Sequence, residues 1–494
     1  MKIKKLVAVA ISMLCITLTS PLSITADDSV SAEIEVWNGT YDTSWYDEEE
    51  IELHISTAED LAGLSKLVNA GHTMEGQTIY LDNDIYLNDV SDYDNWSSDV
   101  PLNNWISIGY DDSTPFAGIF DGQGNTITGL YQYERKCLEP AYAGLFGYLT
   151  GCIRNVICKY EYIETCTYDT TKRNTATGYD DLIRAPSIYA GGICGYADNG
   201  EISNCLVNGY IRPQRDTKYS GNSINSGGIC GCLNGENANI SNCGASGYIY
   251  GSEAGGISGE ISDQSVGQTC SQINNCYSYC EVVAYYAGGS ICGAVYGKGT
   301  IKNCYNQGYV KGNSYSGGIV GYAHVSIYYQ YLTISNVYNV GTIEADKYKG
   351  GIFGTLSKTS KDDALSLEAC YYLNGSALRG VGMEGDDYTI SKNSANMQKE
   401  SFVESLGDAF VYNEGGYHLL AWEVESQQEH LMGDANLDGT FDIADIKLLQ
   451  DYLLCRETLT AEQGAVADVC ADNILNCFDL CVLKRMYLEQ SQIA

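Results

Sequence analysis

The middle of the chain repeats itself, and this repetition restricts the fold more than any other feature of the sequence. Seven related stretches open at Tyr142, Tyr189, Asn225, Glu253, Tyr286, Tyr315 and Tyr348, and their second glycines fall at Gly144, Gly192, Gly228, Gly256, Gly289, Gly318 and Gly351. After one longer first step the spacing is 28 to 36 residues. A unit of that length cannot enclose a core of its own, so it must bury its apolar side against the copies before and after it.

Within a copy, Gly-Gly-Ile-x-Gly, then Ile-x-Asn-Cys, then Gly-Tyr-Val or Gly-Tyr-Ile form three short β-prone runs separated by Gly- and Asn-rich turns. One copy then supplies one coil of a solenoid of parallel strands. Small residues in the opening run let neighbouring coils approach to the strand spacing of about 4.8 Å, while alternate Ile, Val and Cys side chains face inward. Composition points the same way. The chain holds 54 Gly against 6 Pro and 41 Tyr against 8 Phe, with 18 % charged residues, which fits a turn-dense β chain and not a helical bundle or a disordered tail.

The copies resemble the GLUG-repeat family, whose name Gly144-Leu145-Phe146-Gly147 almost spells. Residues 37–46, 55–71 and 115–130 are similar to the leader that precedes such repeats in large bacterial surface proteins, and residues 402–423 to the family's closing segment. The resemblance covers residues 33 to 424 and implies a mainly β fold, a right-handed parallel β-helix. Relatives among immunoglobulin A proteases carry a separate zinc peptidase. This chain has only His54, His72, His324, His418 and His430, scattered, with no His-Glu-x-x-His, so that activity does not transfer. Residues 57–70 have a reading of their own as a helix covering the first coil. Thr57 is placed to cap it, Glu59 and Asp60 favour its first turn, Leu61, Leu64, Leu67 and Val68 form one face, and Gly71 ends it.

Lys2, Lys4 and Lys5 precede an apolar run from Leu6 to Leu18, and Ile24-Thr25-Ala26 supplies a cleavage site before Asp27, the pattern of a secretory signal. The expected product is extracellular, without a transmembrane segment. Removing residues 1–26 leaves 25 basic against 63 acidic residues, or −38, which argues against nucleic acid as a partner. In a secreted chain 20 Cys would ordinarily mean disulfides. Here Cys205, Cys243, Cys276 and Cys304 share one Asn-Cys context and Cys194, Cys230 and Cys292 one Ile-Cys-Gly context, so they stack as small buried hydrophobes.

The most specific motif lies near the C terminus. Residues 433–445 place oxygen ligands at the spacing that wraps one calcium ion: Asp434, Asn436 and Asp438 by side chain, Thr440 by its carbonyl, Asp442 through water and Asp445 as the closing carboxylate, with Gly439 at the sharp turn. Ile443, Ile446, Leu449 and Leu453 follow on a helix. A second loop starts 34 residues after Asp434 and offers Asp468, Asp472, Ile474, Asn476 and Asp479. It departs from the pattern with Cys470 and Asn473, and a thiol is a poor ligand for a hard cation. Two loop-helix units that both close on Asp resemble a dockerin, a small all-α module binding two Ca2+. The resemblance implies that a cohesin module of a scaffoldin contacts Ile443, Ala444, Lys447, Leu448, Gln450 and Asp451 in the first half and Cys477, Phe478, Lys484 and Arg485 in the second. The expected domains are a signal peptide (1–26), a leader and cap (27–141), the repeats (142–376), a closing segment and linker (377–430) and the dockerin (431–494).

Two functions remain open for the solenoid. It binds a polysaccharide or a cell surface, or spaces what it carries, within a cellulosome-like complex; or it is a glycoside hydrolase or polysaccharide lyase. Tyrosine clusters at Tyr285-Tyr286, Tyr328-Tyr329 and Tyr331 offer flat aromatic faces that would suit sugar rings. Hydrolysis needs two carboxylates at a set separation, and elimination needs a calcium site with a basic residue. No catalytic residue can be named: Asp82, Asp84, Asp89, Asp92, Asp94, Asp111, Asp112 and Asp121 read as solvated acidic turns.

Overall fold

The computed structural model describes residues 35–97, 100–134, 141–165, 187–214, 223–263, 265, 269–325, 331–358, 365–383, 388–427, 432–437, 440–454, 456–457, 459, 461–469 and 475–490. The signal-peptide expectation, with Tyr328 and Tyr329, lies outside the described residues. From Glu52 to Lys392 the strand pairs are parallel, and the strands divide into a 26-stranded sheet and a 7-stranded one.

The seven-stranded sheet takes one strand from each repeat, Phe146–Leu149, Cys194–Asp198, Cys230–Asn234, Ser258–Ile261, Cys292–Tyr296, Val320–Val325 and Phe353–Lys358, stacked in chain order. The opening run of each repeat pairs with its neighbours in the larger sheet, as Tyr189 does with Tyr142 on one side and Asn225 on the other. The Gly-Gly-Ile run is therefore split between two sheets, and the second repeat has four strands where three were expected: Ile188–Gly191, Cys194–Asp198, Glu201–Ser203 and Leu206–Ile211. The reason is steric. A Cβ on Gly317 would sit 1.8 Å from the Val320 carbonyl oxygen, so the chain folds back on itself there as only glycine allows.

The same contact corrects the alignment of the fifth copy. Gly289 pairs with Gly255 and Gly317, the first glycines of their copies, and Ala287, not Tyr286, lies opposite Glu253 and Tyr315. Ser290 thus takes the place of the second glycine. What fixes the register is the isoleucine behind it: Ile257 donates to Ile291 O at 3.2 Å and Ile291 to Ile319 O at 3.0 Å. Ile193, Ile229, Ile257, Ile291, Ile319 and Ile352 are all fully buried in one column. Each is worth about 1.5–3 kcal/mol of apolar burial, more than a glycine match can offer.

Asparagine forms a second column. Asn155, Asn204, Asn242, Asn275, Asn303 and Asn336 each turn the chain with φ between 51° and 56°, a conformation Asn tolerates better than other side chains. Each amide from Asn204 onward donates to the preceding Asn, at 2.9–3.1 Å, and Asn155 donates to Asp121, which is ion-paired with Arg154. Beside it Cys205, Cys243, Cys276 and Cys304 are fully buried, and burial pushes the Cys205, Cys243 and Cys276 thiols up. Among the described residues every cysteine is a free thiol.

The leader continues the stack: Glu52–Ile55, Thr78–Leu81, Ile119–Asp121 and Cys152–Arg154 form one parallel ladder. Helix α1 (Ala58–Asn69) begins with Thr57 and Asp60 in a reciprocal cap, and Leu61, Leu64 and Val68 enter the main core while Leu67 is only partly buried. The closing segment runs along the side of the stack. Its helices α2 (Ser394–Met397), α3 (Glu400–Leu406) and α4 (Ala421–Gln427), with one antiparallel hairpin, press Met397, Phe402, Leu406 and Phe410 onto Tyr305, Tyr338 and Tyr371, while Trp422 stacks on Tyr277 at 5.7 Å. It braces four successive repeats.

Candidate functional site

Residues 432–490 hold three helices: α5 (Ile443–Leu453), α6 (Ala461–Ala467) and α7 (Cys477–Gln490). Their core joins Ala435, Phe441, Ile446, Leu449, Ala467 and Leu483, with Leu448 and Leu453 packed against it. Ile446, Leu449 and Leu453 thus face inward as their spacing predicts, whereas Ile443 is 64 % exposed. Helix α6 was not anticipated; the Ala-Glu-Gln start of its sequence was the available signal. It ties the halves together, since Gly433 donates to Val466 O at 2.8 Å.

The first loop is organised by Asp445. Its carboxylate accepts from the backbone of Asn436 at 2.9 Å and of Asp442 at 2.7 Å, and Asp442 in turn caps α5 by accepting from Ala444. The second half repeats the device: Asp479 accepts from Asn476 N at 2.9 Å, and Asn476 from Phe478 N at 2.7 Å. Asp434, Asp445 and Asp479 are 2 %, 0 % and 0 % exposed. Burial pushes the Asp445 carboxyl up, against its two backbone donors, and the charges of Asp434 and Asp442 add to the rise. Carboxylates gathered and desolvated in this way fit a hard divalent cation, which would offset their mutual repulsion. Thr440, in the middle of the first loop, and Asp468, which opens the second, are described; Asp438, Gly439, Cys470, Asp472, Asn473 and Ile474 lie outside the described residues, and the left-handed residue seen in the first loop is Leu437. Among the described residues no three Asp, Glu, His or Cys side chains form a metal cage.

Of the expected partner-contacting residues, Ile443, Ala444, Lys447, Gln450, Cys477, Phe478, Lys484 and Arg485 are exposed. Leu448 packs partly into the core, and Asp451 is held by Lys447 at 3.8 Å and Arg456 at 3.6 Å.

The acidic turns of the parallel-stranded region serve the backbone. Asp84 accepts from Thr126 N, Asp89 from Ser91 N and Asp111 from Ser113 N, while Asp82 pairs with His54. Its tyrosines mostly pack in stacks, such as Tyr131, Tyr162, Tyr210 and Tyr248 at 5.0–5.6 Å between rings; Tyr286 packs on Tyr315, and Tyr285 is exposed. Two groupings were not visible in the sequence. Glu253 and Glu260 lie on adjacent strands among tyrosines, and burial pushes Glu260 up to about 7 with the Glu253 charge adding to it. Lys298, fully buried, donates to Thr269 O and lies 3.9 Å from both Asp263 and Glu236, which with Asp198 line an open pocket of about 460 Å³.

The sequence model of the dockerin type I domain matches residues 432–488. This segment is a dockerin type I domain. A dockerin implies a cohesin partner in a cellulosome-type assembly, and type I dockerins are generally calcium-binding and typically extracellular. No curated protein matches the chain. The chain is similar to a solved structure, that of a "putative immunoglobulin A1 protease" from Bacteroides ovatus, at 18 % identity over 75 % of this chain and 92 % of that one, with a TM-score of 0.44. Among the described residues no helix is long and apolar enough to cross a membrane.

Proposed function

We propose that this chain is a secreted, non-catalytic component of a cellulosome-like complex. Its dockerin binds two Ca2+, the first through Asp434, Asn436, Asp438, Thr440, Asp442 and Asp445 and the second through Asp468, Asp472, Ile474, Asn476 and Asp479, and in that state holds a scaffoldin cohesin. The repeats form a right-handed parallel β-helix, the hand that parallel crossovers strongly prefer, and present a polysaccharide- or cell-surface-binding wall or act as a rigid spacer. The observation that carries the docking role is the pair of loop-helix units, each closed by a buried aspartate, within the matched segment. For the solenoid, support comes from tyrosines spent on stacking and acidic turns spent on backbone donors.

The test is capture of the full chain on immobilised type I cohesin modules, with calcium and with chelator, together with retention on insoluble plant cell-wall polysaccharides and an assay for released sugar. Calcium-dependent capture without sugar release supports the reading. Capture unaffected by chelator defeats the calcium role, and new reducing ends or unsaturated products defeat the non-catalytic one.

A further inference from the structure

A lysine is almost never fully buried, yet Lys298 is, and so is the acid beside it. Lys298 lies just beyond strand Cys292–Tyr296, and Asp263 just beyond Ser258–Ile261, the strand paired with it in the preceding repeat. The two turns meet backbone to backbone, Lys298 N donating to Asp263 O at 2.8 Å, and both side chains are 0 % exposed. Lys298 Nζ stands 3.9 Å from Asp263 Oδ2 and 3.9 Å from Glu236 Oε1, and donates to Thr269 O at 2.7 Å. A charge-assisted hydrogen bond closes to about 2.7–2.9 Å, and neither carboxylate does so. The Asp263 oxygens accept from backbone instead, Oδ1 from Ser265 N at 2.9 Å and Oδ2 from Ser271 N at 3.2 Å, which fixes the carboxyl group beside the lysine tip. Of the three charged groups Glu236 reaches water, its side chain being 34 % exposed in the wall of the open pocket.

A buried amine, a buried carboxyl and an adjacent carboxylate open to water are the components of an amide condensation. Independently of the docking role, we propose that Lys298 and Asp263 are joined by an isopeptide bond, with Glu236 moving the protons. Transfer of one proton from the ammonium to Asp263 leaves a neutral amine and a neutral acid, which cost less to bury than two ions. Nζ then attacks Asp263 Cγ. A second proton passes from Nζ to Glu236 while Ser265 N holds the charge developing on Oδ1. Glu236 returns that proton to the Oδ2 hydroxyl, the Cγ–Oδ2 bond breaks, and one water leaves. One C–N bond has replaced one C–O bond with no change of oxidation state. Oδ1, now an amide carbonyl, keeps Ser265 N as its donor, and the remaining Nζ–H keeps Thr269 O as its acceptor. Holding both reactants in one place away from water supplies what a free amine and acid in solution lack. The product staples the fourth repeat to the fifth with a link that reductant does not open, in a chain whose described cysteines are all free thiols.

The experiment is peptide mass mapping of the full chain, purified folded, then denatured, reduced and alkylated. Chymotrypsin separates Asp263 from Lys298 at the tyrosines between them, such as Tyr277 and Tyr286. The expected result is a single species holding both peptides, lighter than their sum by one water, with fragment ions that place the link at Asp263 and Lys298. Asp263→Ala should contain no such species. In Glu236→Gln, which keeps the shape and loses the proton carrier, the linked fraction should fall about tenfold or more, as expected when a general acid–base group is removed. Recovery of the two peptides only as separate, unmodified species from the wild-type chain overturns the bond. A link at the wild-type level in Glu236→Gln overturns the part given to Glu236, and a link that persists in Asp263→Ala overturns the choice of acid. β-Sheet circular dichroism of each variant separates lost chemistry from lost fold, and the wild-type map decides the bond without any substitution.

Discussion

Glu161 sets a measurable pH dependence. It is fully buried in strand Ile157–Thr165, where a bulge at Tyr160 (φ 55°) breaks the register with the next repeat. Its carboxylate fills space left by glycines: a Cβ on Gly192 would meet it at 2.4 Å and one on Gly209 at 3.2 Å. Among the described residues no nitrogen or oxygen donor reaches either carboxylate oxygen, and a nearby polar group is the Cys158 thiol. Burial therefore holds the protonated form, pushing the group up to about 8 from 4.5.

A folded-state value above the unfolded one means that the native chain keeps a proton that the unfolded chain releases. The associated stability is complete below about pH 4.5 and is lost as pH rises through about 8. The span corresponds to about 5 kcal/mol in all, of which about 3 kcal/mol is gone by pH 7. Glu161→Gln removes the titration and keeps the shape. Between pH 5 and pH 7.5 its stability should fall less steeply than that of the wild type by one proton, about 1.4 kcal/mol per pH unit. Denaturant unfolding followed by β-sheet circular dichroism, at fixed calcium, measures this. Glu253, Glu260 and Glu423 are also raised by burial and slope the same way, but they are common to both proteins and cancel in the difference. Parallel pH profiles, or a variant weakened equally at every pH, would show that Glu161 is ionised in the fold and refute the reasoning.

Three further outcomes are expected. Asn242→Ala should lose about 2–4 kcal/mol, from two ladder hydrogen bonds and an alanine forced to positive φ, whereas Asn242→Gly should lose only the hydrogen-bond part; thermal midpoints of the two variants check this. Ile257→Ala should cost about 2–5 kcal/mol by opening a cavity in the isoleucine column, read by denaturant midpoint. Chelation, or Asp434→Ala, should raise hydrogen exchange across residues 432–488 and leave the repeat strands protected, because the buried carboxylates of this module lose the cation that offsets them.

Features that recur were legible in the sequence, and features made by a single residue were not. The isoleucine, asparagine and cysteine columns arise because one residue type returns at one place in each copy, so spacing alone exposes them. The same logic misled at Gly289, where matching letters competed with matching volumes and the buried isoleucine decided the register. The split of Gly-Gly-Ile between two sheets was hidden because β propensity marks extended residues and is silent on where a chain turns between them. The expected calcium loops are local patterns, each position set by its spacing along one stretch of backbone, so the sequence alone can state them. Glu161, Glu253 and Lys298 left no such mark. Their neighbours are contributed by coils some thirty residues apart, and what makes a carboxylate or an ammonium unusual is the burial that only stacking confers. The outward face of α7 lies between these cases: Phe478 and Cys481 are readable as letters, but their exposure on one stripe depends on Leu480, Leu483 and Met486 having turned the opposite side of the helix inward.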